Sequence, residues 1–178
     1  LLKLGVPAVV VTHDRIEALA LGDRVAVMVD GRIRQHGDVA EVFDRPADRD
    51  VARCVGVDTV LAGHVVAVAE GIASVESHGL RFSAVDRGFG GEVWVLVRAE
   101  DVVLERGGGV RSSARNRLPG RVAAVTQEGP LVRVVVACGE VRLSALVTRA
   151  SRTDLGLEEG ADVVAVVKAP SVHLVPRG

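Results

Sequence analysis

Tyrosine is absent, the aromatic residues are three phenylalanines and one tryptophan in 178 residues, and only two lysines occur, Lys3 and Lys168. Single strands of nucleic acid are held by bases stacked on aromatic side chains along a basic groove, and a chain with a formal net charge of -1 offers neither feature. No nucleic acid is expected as a partner. The two cysteines, Cys54 and Cys138, stand far apart with no C-x-x-C or Cys/His cluster around them, so neither a disulfide framework nor a metal site is expected. No apolar run nears the roughly 20 residues that a membrane-spanning helix needs, and no leader with a charged start and a cleavage site is visible. Any membrane association is expected to come through a partner. The chain starts with Leu1 rather than Met, and its first residues read as the interior of a fold, which predicts further sequence upstream.

What is abundant is valine, which suits pleated, half-buried surfaces. Nearly half the residues are apolar, enough for a substantial core. Residues 6–12 form a short β-branched run of the kind found in a strand buried on both faces. Helical spacing follows, with Ile16, Leu19 and Ala20 on one side, Asp14 positioned to cap the first turn and Gly22 to end it. Residues 25–29 predict a strand, Asp30-Gly31 a two-residue turn, and 32–35 its hairpin partner. Asp38 is expected to cap a short helix through Phe43 that stops near Pro46.

Beyond about Val57 the helical period disappears, and short Val-rich segments alternate with Gly, Ser and Asp. An internal echo is present: Leu61-Ala-Gly-His-Val-Val-Ala-Val68 recurs as Leu118-Pro-Gly-Arg-Val-Ala-Ala-Val125, and Val97-Arg-Ala-Glu-Asp-Val-Val-Leu104 as Val167-Lys-Ala-Pro-Ser-Val-His-Leu174. Two related β-units in tandem, small barrels of the OB type, are the simplest account. The expected organisation is an α/β segment at 1–56, β-units at 57–104 and 112–178, and a glycine-rich linker at 105–111. A purely structural or dimerising role for the two units fits the same periodicity.

His13 stands where a buried strand would hand over to a helix, the position at which open α/β sheets gather ligand-binding residues. It suits contact with a phosphate or a water, or simply a loop cap. The run Val9-Val-Val-Thr-His-Asp-Arg-Ile-Glu-Ala-Leu-Ala20, then Gly22-Asp-Arg-Val-Ala-Val-Met28 and Asp30-Gly31-Arg32, resembles the end of an ABC transporter nucleotide-binding domain. The resemblance implies that His13 is the switch histidine that contacts the γ-phosphate of ATP. A phosphate loop of the G-x-x-x-x-G-K-[ST] kind needs a lysine after glycine, and neither Lys3 nor Lys168 has one before it. The signature motif and the catalytic carboxylates are also absent. This chain by itself is therefore expected not to hydrolyse ATP, although the parent protein would be an ABC-type ATPase using ATP and Mg.

No Asp or Glu occurs in 106–127 or in 163–178, while the first stretch carries Ser112, Ser113, Arg115, Asn116, Arg117 and Arg121, and the second Lys168 and Ser171. A tetrahedral dianion wants donors and positive charge, and a nearby carboxylate would repel it. Solvated arginines and a lysine guarding an edge strand are the plainer reading of the same pattern. Ser113-Ala-Arg-Asn116 with Leu118-Pro-Gly120, Ala145-Leu-Val-Thr-Arg149, Leu155-Gly-Leu157, Gly160 and Val166-Val-Lys-Ala169 resemble the molybdate-binding Mop domain. That resemblance implies an oxyanion site of Ser113, Arg115, Thr148, Lys168 and the Ala169 backbone N–H, often built across a contact between two such units. Pro170 departs from the pattern, because it removes an N–H and shifts the serine to Ser171. In the first unit Glu100 and Asp101 stand at the matching positions and would oppose an anion, so that unit is expected to be scaffolding.

Together the two resemblances imply the C-terminal part of the ATP-binding subunit of a molybdate or tungstate importer. Its expected partners are transmembrane permease subunits, a second copy of itself and the oxyanion, at the cytoplasmic face of the membrane. A subunit for sulfate or sugar import with a structural β-domain, and a stand-alone oxyanion-binding protein, are the alternatives.

Overall fold

The computed structural model describes residues 7–107 and 112–177. Helix α1 (Arg15–Leu21) is capped by Asp14, whose Oδ1 accepts the Ile16 N–H at 2.7 Å. The expected strand ahead of it does not form over the described residues: 7–12 pair with nothing, and Val9 and Val11 are 94% and 95% exposed. A strand of this composition needs hydrogen-bonded neighbours on both sides, and no described element offers an edge to it. Strands β1 (Arg24–Val29) and β2 (Arg32–Asp38) form the expected hairpin. Asp30 and Gly31 both take positive φ, as the tight turn requires.

Asp38 occupies the N-cap of α2 (Val39–Asp44), yet its side chain makes no capping bond. Helix α3 (Arg49–Cys54) was not signalled by apolar spacing. Its cap is Asp48, which accepts from the N–H groups of Asp50 and Val51, and its inward residues are Val51 and Ala52.

The rest is β-structure: β3 (Thr59–Ala69), β4 (Ile72–Ser77), β5 (Leu80–Val85), β6 (Gly91–Val97) and β7 (Val103–Glu105), then β8 (Asn116–Glu128), β9 (Leu131–Cys138), β10 (Val141–Thr148), β11 (Asp162–Val167) and β12 (His173–Pro176). Helix α4 (Arg149–Asp154) lies between β10 and β11, and 3-10 turns at Ala99–Asp101 and Ala169–Ser171 follow β6 and β11. Two five-stranded sheets result, in the orders β12-β6-β3-β4-β5 and β10-β9-β8-β11-β7.

The tandem reading needs one correction. Each half gives its last strand to the other's sheet: β7 pairs with β11, and β12 pairs with β6. The 3-10 turns make this exchange, because each carries the chain out of one sheet and into the next. Glu105, assigned to a linker from sequence, ends β7; positions 108–111 lie outside the described residues.

A single apolar cluster spans both halves, including Val75, Phe82, Val95 and Val97 from one and Val134, Val136, Leu143 and Leu157 from the other. Alternation sets the inward face: along β9, Val132, Val134, Val136 and Cys138 are buried and the residues between them are not. A second cluster seats α2 and α3 on the outer face of the first sheet through Val42, Val51, Val55, Leu96 and Val175. Trp94 lies there with the guanidinium groups of Arg49 and Arg177 each 4.9 Å from its ring centre.

Candidate functional site

The sequence echo becomes a two-fold correspondence in space. Thr59 and Asn116 hold matching positions at the starts of β3 and β8, and Ser83 and Ser144 match in β5 and β10. Each member contacts the other half: Asn116 Oδ1 accepts from the Ser83 N–H at 2.6 Å, and Thr59 Oγ1 accepts from the Ser144 N–H at 3.4 Å. The 3-10 turn Ala99–Asp101 packs on β10, and the turn Ala169–Ser171 packs on β5. The matched residues Asp101 and Ser171 meet, with Ser171 Oγ donating to Asp101 Oδ1 at 3.2 Å.

Of the donors in the acid-free stretches, the structure commits several. Arg117 pairs with Glu105 at 2.6 Å and Arg121 with Asp162 at 2.7 Å. Asn116 is buried and serves Ser83 and Val167, and the Ser171 hydroxyl is on Asp101. What remains is compact. β8 and β11 run antiparallel with Asn116 opposite Val167, so Arg115 and Lys168 follow as neighbours one step beyond that pair. Both are exposed, and among the described residues neither side chain makes an ion pair or a hydrogen bond. Ala169 is buried and its N–H has no acceptor among the described residues. Ser113 is exposed on the approach to β8. Pro170 sits inside the 3-10 turn, whose Ser171 N–H still reaches Lys168 O at 3.0 Å, so the turn tolerates the proline.

Thr148 is not with them. It pairs with Leu131, which pairs with Glu128 at the far end of β8, a strand of 13 residues at about 3.3 Å each. Its Oγ1 caps α4 by accepting the Ser151 N–H at 3.0 Å. Two positions back along β10, Leu146 faces Arg133, so Thr148 belongs to the end where the first half's turn docks. The register therefore brings Arg115 beside Lys168 and Ala169, with Ser113 two residues upstream in the chain, and leaves Thr148 apart.

The matching end of the first half is built differently, in a way that composition did not reveal. Asp58 stands where the second half has Arg115, and its Oδ2 accepts the Ala99 N–H at 3.0 Å, the counterpart of the open Ala169 N–H. Its Oδ1 takes the Arg133 guanidinium at 2.5 Å, and the Asp58 side chain is only 17% exposed. Arg133 also binds Glu128, whose carboxylate, together with Asp58, raises the guanidinium pKa above its ordinary value. Arg98, the counterpart of Lys168, points away and donates to Phe43 O at 2.5 Å and Val55 O at 3.1 Å. The Asp58/Arg115 exchange lies just upstream of the echoed segments that begin at Leu61 and Leu118.

His13 lies on an exposed bend just before α1, beside Thr12, whose Oγ1 donates to Glu17 at 2.5 Å. Among the described residues nothing else of a nucleotide site surrounds it, and no cluster of His, Cys, Asp and Glu suited to a metal occurs.

The TOBE domain family matches residues 112–174. Two molybdate/tungstate import ATP-binding proteins WtpC are similar over almost the whole chain: that of Pyrococcus abyssi is 39% identical over 172 residues, 97% of this chain and 48% of its own length. That of Pyrococcus horikoshii is 38% identical over 174 residues, 98% of this chain and 48% of its own length. The chain thus spans about half the length of these relatives. Among solved structures, the cytoplasmic molybdate-binding protein ModG with molybdate bound superposes with a TM-score of 0.60 at 31% identity, covering 67% of this chain and 97% of ModG.

Proposed function

We propose that this chain, whose residues 112–174 match the TOBE domain family, is the C-terminal part of an ATP-binding subunit like the molybdate/tungstate import proteins, and that its β-domain binds the transported oxyanion at the Lys168 end. The observation that supports this reading is the β8/β11 register, in which Arg115 and Lys168 follow the paired Asn116 and Val167, next to an Ala169 N–H that has no acceptor among the described residues. A tetrahedral dianion uses this arrangement well: the ammonium and guanidinium neutralise its charge, and the backbone N–H fixes one oxygen. No Asp or Glu occurs in the two stretches that form the site; Glu105 beside them is held by Arg117, and Asp101 by the Ser171 hydroxyl. Ser113 supplies a further hydroxyl. Thr148 reaches such a site only from a second copy of the chain, so a homodimer completes it.

In the intact subunit, residues 1–56 would close an ABC nucleotide-binding domain and His13 would contact the γ-phosphate of ATP. ATP and Mg supply phosphoryl-transfer chemistry there. The residues present in this chain do not fit a nucleotide by themselves, since neither lysine follows a glycine. The partners are permease subunits at the inner face of the membrane. The oxyanion regulates transport to the extent that it binds one arrangement of the subunits better than another.

Titration calorimetry of the chain with molybdate, tungstate and sulfate tests the binding proposal. Heat from molybdate and tungstate, with sulfate weaker, is expected. No binding of any of the three overturns the site and leaves the domain a structural one.

A further inference from the structure

The two-fold correspondence gives every chain a second location with the geometry of an oxyanion site, at Ala99. We propose that the Asp58 carboxylate is a built-in anion that occupies this location and closes it to free oxyanions. The inference rests on the reading of the Lys168 end as an open site, and it concerns the other end.

At the Lys168 end the turn's first N–H, like the side chains of Arg115 and Lys168, has no partner among the described residues. At the Ala99 end the matching N–H is taken by Asp58 Oδ2 at 3.0 Å, and a guanidinium from the opposite half closes on Oδ1. A carboxylate with a backbone N–H on one oxygen and an arginine on the other is held as a bound oxyanion would be, except that it is tethered to the chain. A tethered ligand pays no cost of association and cannot be diluted away, so a free anion must displace it against a very high local concentration. Glu128 on the same guanidinium adds negative charge that a second anion would meet. The remaining cation of the pattern, Arg98, is turned onto the carbonyls of Phe43 and Val55 and helps tie the helical segment to the β-domain. The first half has thus exchanged ligand binding for an internal cross-link between its own 3-10 turn and β9 of the other half.

The experiment compares tungstate stoichiometry in the wild-type chain and in Asp58→Ala, by calorimetry and by anomalous diffraction from tungsten. Asp58→Ser, which takes the negative charge off Arg133 and leaves only a short neutral hydroxyl that an anion displaces from Ala99, is the second variant if alanine impairs folding, and cooperative thermal unfolding is the check on both. The expected result is a gain of one tungstate per chain in the variant, with tungsten density between the Ala99 N–H and Arg133. A folded variant with unchanged stoichiometry overturns the proposal, as does tungsten density at Ala99 in the wild type. If the wild type binds no tungstate at all, it is the Lys168 site that fails; the variant then decides the present inference alone, by gaining a site or not.

Discussion

Asn116 and Ser83 bind each other twice across the two halves: the Asn116 side-chain oxygen accepts the Ser83 N–H at 2.6 Å and its amide nitrogen donates to Ser83 O at 3.0 Å. The same nitrogen donates to Val167 O at 3.1 Å, and the residue is 1% exposed. One amide thereby satisfies an edge group of β5 and the end of β11 while fixing the start of β8.

Asn116→Ala removes all three bonds and leaves backbone groups unpaired in a covered site. A loss of about 1–3 kcal/mol is expected for unmet buried partners. Urea unfolding followed by circular dichroism reads it. Asn116→Asp is expected to be at least as damaging, because a carboxylate faces two carbonyl oxygens with no proton to give.

The echoed glycines, Gly63 and Gly120, are predicted to tolerate alanine unequally. A Cβ at Gly120 would lie 2.5 Å from the backbone oxygen of Ala137, whereas at Gly63 the tightest contact is a Val75 methyl at 2.7 Å. A side chain yields more readily than a strand backbone. Gly120→Ala should cost roughly 1–3 kcal/mol, as overpacking does, and Gly63→Ala less. Melting temperatures of the two variants test the order.

Lys168→Ala is expected to weaken oxyanion binding by roughly tenfold or more, the worth of a hydrogen bond to a charged group. Arg32→Ala should leave binding nearly unchanged, because that guanidinium is exposed on the β1–β2 hairpin rather than on β8 or β11. Calorimetric titration of both variants is the measurement, and equal losses would show that general positive charge, rather than the Lys168 position, attracts the anion.

Burial holds the His173 pKa below its ordinary value of 6.5, with the positive charge of Arg87 acting in the same direction and Asp101 against it. The unfolded chain therefore takes up the proton first as pH falls. The stability that His173 contributes is fully present above about pH 6.5 and is lost progressively below it, until the folded state also protonates. His173→Gln should flatten the fall in melting temperature on the acid side of neutrality, and an unchanged slope would assign it to other groups.

The Cys138 thiol is buried, and burial pushes its pKa up to about 11, so little thiolate forms at neutral pH. Cys54 is exposed. A disulfide reagent at pH 8 should label one thiol per native chain, at Cys54, and both after denaturation. Rapid native labelling at Cys138 would show that the β-sheets open readily.

Much of this protein was legible along the chain because the signals are local. The Asp30-Gly31 turn, the Asp14 cap, the alternation in β9 and the repeated strand pairs each depend on residues close in sequence. Helix α3 escaped because it has only two inward residues, Val51 and Ala52, too few to mark a period. The segment 7–12 misled for the opposite reason: its valines promise burial, and burial depends on neighbours outside the segment.

The candidate site divides along the same line. Residue types alone determined that 106–127 and 163–178 are free of carboxylates and rich in donors, and they singled out Lys168 as one of two lysines. Only the tertiary structure decided which donors remain uncommitted. Pairing partners such as Glu105 for Arg117, Ser83 for Asn116 and Arg133 for Asp58 lie 12, 33 and 75 residues away. Charge and hydrogen bonding act over a few ångströms of space, so the fold that brings distant strands together fixes where an anion meets an open end and where the chain has supplied its own.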